Sequence, residues 1–236
     1  MLSTTERKKK NAVKKLLPSF NAEIKKYDEI YQMYCQNGYS KELCSSFAEA
    51  FVDNLKKPAN DDVILAASLY NKIYDYKSAD FYLDMLMEKK LGGDEKFRFC
   101  CEKLSTVSRL GHWRDAEDFR TENINFIQTY MDKKVSSAEQ VDMYIALALV
   151  DCASKRYSDA FRLLNFGYKP KGKNDVKLLD ILLTAVYIYA KSGDEANLNA
   201  AVSNARSCLK LFNGFDFEWS KAYFEKRIED AANGLI

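Results

Sequence analysis

The sequence predicts an all-α fold, an array of about five helix pairs closed by a single C-terminal helix. Three observations carry that prediction. Apolar residues recur at helical spacing through most of the 236 residues. Alternating Val/Ile/Thr runs bounded by turns are nearly absent, which argues against strands. The three prolines (Pro18, Pro58, Pro170) all fall between helical patterns, where a missing amide does least harm.

Taken in order, residues 1–20 form a basic arm, polar and at most weakly helical through Val13, Leu16 and Leu17. The first pair follows over 21–36 (Ile24, Tyr27, Ile30, Tyr31, Tyr34) and 40–57 (Leu43, Phe47, Phe51, Leu55), with Asn37-Gly38 as its turn and Pro58 as its stop. The second opens at an Asn60 or Asp61 N-cap, carries Val63, Ala66, Ala67, Tyr70 and Ile73, turns, and continues from Tyr76 to Lys90 before Gly92-Gly93. The third is Asp94–Leu110 and Trp113–Met131, around Gly111-His112.

The fourth pair, Ser137 to Tyr168, is the most legible. Val141, Tyr144, Ile145, Ala148, Leu149 and Cys152 follow one helical face, and Met143, Leu147 and Val150 add a second. A helix apolar on two sides needs neighbours on both. Its partner opens at Tyr157 and ends at Gly167, a residue suited to the left-handed conformation past a helix end. The fifth pair spans Asn174–Lys191 and Glu195–Phe212, and a last helix over about 215–233 caps the exposed end of the stack.

Net charge is +2, but residues 1–26 hold eight basic side chains against Glu6 and Glu23, which leaves the remainder at −4. A mildly acidic body with a basic arm disfavours nucleic acid as the main partner. The arm is expected to be solvated, or to touch an anionic surface. Six cysteines lie mostly on apolar helical faces in no disulfide or metal spacing. The most apolar run, Leu178 to Ala190, spans 13 residues and contains Asp180, too short for a bilayer. With no apolar signal core behind the basic arm, a cytoplasmic location is expected and no membrane span.

The turns read Tyr76-Lys77-Ser78-Ala79, Gly111-His112-Trp113-Arg114-Asp115-Ala116, Tyr157-Ser158-Asp159-Ala160 and Ser192-Gly193-Asp194-Glu195. Ala67 precedes Ala79 by twelve residues, as Ala148 precedes Ala160, and Tyr70 and Tyr189 occupy a first-helix aromatic position. In these features the chain resembles the tetratricopeptide repeat family over most of residues 21–212. It departs from that family in spacing: Ala79, Ala116 and Ala160 stand 37 and 44 residues apart, against about 34 for a regular repeat. Lys103 and Leu104 also replace small residues in the third pair, and the proline that closes the family's repeat is missing except near Pro58 and Pro170.

The resemblance implies a right-handed superhelix over 21–212, capped by 213–236, whose first helices line a concave groove for a peptide or helix. Carried over position by position, the groove residues are Ile64, Ser68, Asn71, Ile145, Leu149, Cys152, Leu183 and Tyr187. Apart from Asn71, the carboxylate-clamping set of chaperone-binding members is absent. An apolar groove admits an amphipathic helix, self-association, or simple burial.

No catalytic constellation stands out. His112 is the single histidine, so a metal or acid–base site lacks its second member. Cys100 and Cys101 point to different sides of one helix. Asp115, Glu117, Asp118 and Glu122 read as a solvated acidic helix start that the dipole favours. No glycine pattern cradles phosphate. The expectation is a non-enzymatic scaffold or adaptor with a protein partner, no cofactor and no metal. RNA binding is the alternative, and Trp113 and Trp219 are aromatic anchors for either the stack or a contact surface.

Overall fold

The computed structural model describes residues 59–72, 74–134, 137–169, 176–211 and 218–236. The basic arm, the expected first pair and the loop around Pro170 lie outside the described residues. The described residues form nine helices and no strand: α1 Asn60–Lys72, α2 Tyr76–Asp84, α3 Gly93–Arg109, α4 Trp113–Lys134, α5 Ser137–Ala153, α6 Tyr157–Leu164, α7 Val176–Ser192, α8 Glu195–Lys210 and α9 Glu218–Ala232. The chain divides into two compact units, Met1–Leu91 and Gly92–Ile236. The first contains α1 and α2, the second α3 to α9.

One local device recurs at the end of α1, α3, α5, α7 and α9. A residue with positive φ follows each of them: Tyr74 (63°), Gly111 (79°), Lys155 (60°), Gly193 (73°) and Gly234 (67°). The amide of the next residue then reaches back five positions, Asp75 to Tyr70, His112 to Val107, Arg156 to Asp151, Asp194 to Tyr189 and Leu235 to Asp230. These bonds satisfy carbonyls that the helix end would otherwise leave open. In the first four cases the same residue opens the second helix. Asp75 accepts from the Ser78 amide at 3.2 Å, and Asp194 from the Asn197 amide at 3.2 Å. Ala79, Ala116 and Ala160 then bond back to Asp75, His112 and Arg156, and their methyl groups are fully buried where two helices approach.

In the unit of α1 and α2 the two helices pack directly on each other, and Tyr70 stacks on Tyr82 with centroids 5.5 Å apart. α2 is shorter than expected. Beyond Asp84 the amides of Leu86, Met87 and Lys89 bond three residues back, tightening the chain into turns while Leu86 stays buried.

In the unit of α3 to α9 the helices pack in chain order. α3, α5, α7 and α9 lie side by side; α4, α6 and α8 each lie against their own first helix and the next one. α5 is therefore enclosed by α3, α4, α6 and α7. The two apolar faces expected on it are both consumed: Val141, Met143 and Ile145 to Val150 are buried. The last helix, α9, packs on α7 and α8 through Phe224, Ile228 and Ala231.

The turn device makes a test. Lys155 is exposed, so Lys155→Gly should raise stability by about 0.5 kcal/mol, the relief of left-handed strain less the entropy of glycine. Gly193 has nothing within 4 Å of an added Cβ, so Gly193→Ala should cost only the backbone term, about 1 kcal/mol. Urea unfolding of both variants reads the two signs.

Candidate interaction surfaces

The side chains expected to line a groove are mostly occupied with packing. Ile64, Ile145, Leu149, Cys152, Leu183 and Tyr187 are buried, Leu183 completely, while Ser68 and Asn71 are half-buried. On α5 and α7 the reason is that neighbours pack against the helix from more than one side.

Across α3, α5, α7 and α9 the half-exposed positions include the charged Glu102, Asp142, Lys177, Asp180 and Arg227, beside uncharged Tyr144, Leu182 and Tyr189. Lys177 Nζ donates to Asp142 Oδ1 at 2.5 Å, and Arg227 Nη1 donates to Asp180 Oδ1 at 3.2 Å. Each pair joins two successive first helices. Desolvation pushes the Asp142 carboxyl up; Lys177 opposes this, and Asp180 and Glu102 add to it. Burial, with the Asp142 and Glu102 carboxylates adding to it, holds the Cys101 thiol well above its ordinary value. Burial pushes Cys100 up to about 12 and Cys152 to about 11. These three thiols stay protonated at neutral pH, so none is poised as a nucleophile.

A second polar cluster ties the α3–α4 hairpin to the α5–α6 hairpin. Asp151 on α5 accepts from Arg120 Nη1 at 2.8 Å and Arg156 Nε at 3.1 Å. Glu117 on α4 accepts from Arg156 Nη2 and from Ser154 Oγ, and pairs with Arg120 at 2.5 Å. Hydrogen bonding to Asp151 is the main influence holding the Arg156 guanidinium further toward its charged form. Here the expectation of a wholly solvated acidic start on α4 is corrected. Asp115, Asp118 and Glu122 are exposed, but Glu117 meets Arg156 and Ser154 of the next hairpin beside Arg120 of its own helix. Sequence reasoning also passed over Asp151. The available signal was a carboxylate directly after the apolar run Met143–Val150, five residues before an arginine.

His112 is exposed, 3.9 Å from Asp115. Among the described residues no group of three or more His, Cys, Asp or Glu side chains could hold a metal ion. Trp113 lies at the surface, with the Arg114 guanidinium 5.1 Å from its ring. The Trp219 side chain lies outside what is described.

The outward faces of the second helices differ. α4 shows solvent Asp115, Asp118, Glu122 and Gln128; α6 shows Ser158 and Arg162; α8 shows Glu195, Asn199, Ser203 and Arg206. α2 and the turn after it instead expose Phe81 (64%), Met85 (47%) and Met87 (49%). Large apolar groups clustered on an outward face are a mark of contact surfaces.

No family model, curated protein or solved structure matches this chain. Among the described residues no helix is long and apolar enough to cross a membrane.

Two tests follow from the charged clusters. Asp151→Asn should cost about 2 kcal/mol, since it weakens hydrogen bonds from two guanidinium groups at a buried position. Arg162→Met, at the exposed Arg162–Asp159 pair, should cost under about 0.5 kcal/mol. Thermal melts separate the two. The second test concerns pH. The Asp142 carboxyl is raised above its ordinary 3.8, so the folded state holds that proton more tightly than the unfolded chain. Relative to Asp142→Asn, the wild type should lose stability as pH rises upward from about that value. Asp194 is held below 3.8, chiefly by the Asn197 side chain, and has the opposite sign. Its contribution is present above 3.8 and lost as pH falls through the lowered value, so Asp194→Ala should be least harmful in acid. Urea melts of the variants across the acid range read both slopes.

Proposed function

We propose that this chain is a non-enzymatic scaffold, a right-handed superhelix of tetratricopeptide-like hairpins that binds a protein partner in the cytoplasm. The observation that carries the reading is the chain-order packing of α3 to α9, in which each helix packs mainly on near neighbours and the outer surfaces are left for contact. The half-exposed charges along the first helices and the apolar outward face of α2 support it. They offer a salt-sensitive and a salt-tolerant surface on one chain.

The test uses the full chain as bait in cells of its source, followed by reconstitution with the purified captured protein. A nuclease-resistant complex of fixed stoichiometry, measured by sedimentation, is the expected result. Recovery of nucleic acid alone, lost on nuclease treatment and weakening steeply with salt, would overturn the reading in favour of RNA binding.

A further inference from the structure

We draw no further inference here: the strongest candidate, the apolar surface patch of Phe81 and Met85 on the outward face of α2 with Met87 in the turn after it, carries nothing because nothing in the structure shows what covers it.

Discussion

Every hairpin in the described chain depends on one residue held in the left-handed region at the end of its first helix. That residue turns two amides back onto the helix end, satisfies carbonyls that would otherwise be open, and points the chain into the second helix. Glycine adopts the conformation freely, yet Tyr74 and Lys155 hold it too. At those two positions the surrounding bonds outweigh the local strain. The buried alanines early in α2, α4 and α6 complete the geometry, since a larger side chain there would hold the helices apart.

From this repeated reversal the rest follows in layers. Second helices are carried back beside their first helices, and first helices are brought together in a row. α5, packed against four helices, is apolar from Met143 to Val150, with Asp151 as its buried charge. That carboxylate is tolerated because Arg120 and Arg156 reach it from the preceding second helix and from the turn. A polar cluster thus joins the two hairpins beside their apolar contacts.

The helices and turns were legible in the sequence because their signals are local. Gly111, Gly193 and Ser154-Lys155-Arg156 mark reversals, and the apolar spacing marks what lies between them. The enclosure of α5 was legible from its two apolar faces. The surfaces were less so. Ile145, Leu149, Leu183 and Tyr187 fit a family's groove positions by spacing, and in the folded chain all four are buried. Glu117 looks like any carboxylate in a first helical turn until a guanidinium from a hairpin almost forty residues on meets it. Phe81 and Met85 fit the apolar rhythm of a buried face equally well, and only the packing of Ala79 and Leu83 shows which side of α2 is out. Exposure is a property of the assembled chain, and periodicity does not contain it.

The chain-order packing of α3 to α9 also sets how this unit responds to load. The main contacts among these helices join partners no more than two positions apart in chain order, so load applied at one interface is carried mostly by the helices beside it. Strain applied at α9 is borne first by α7 and α8.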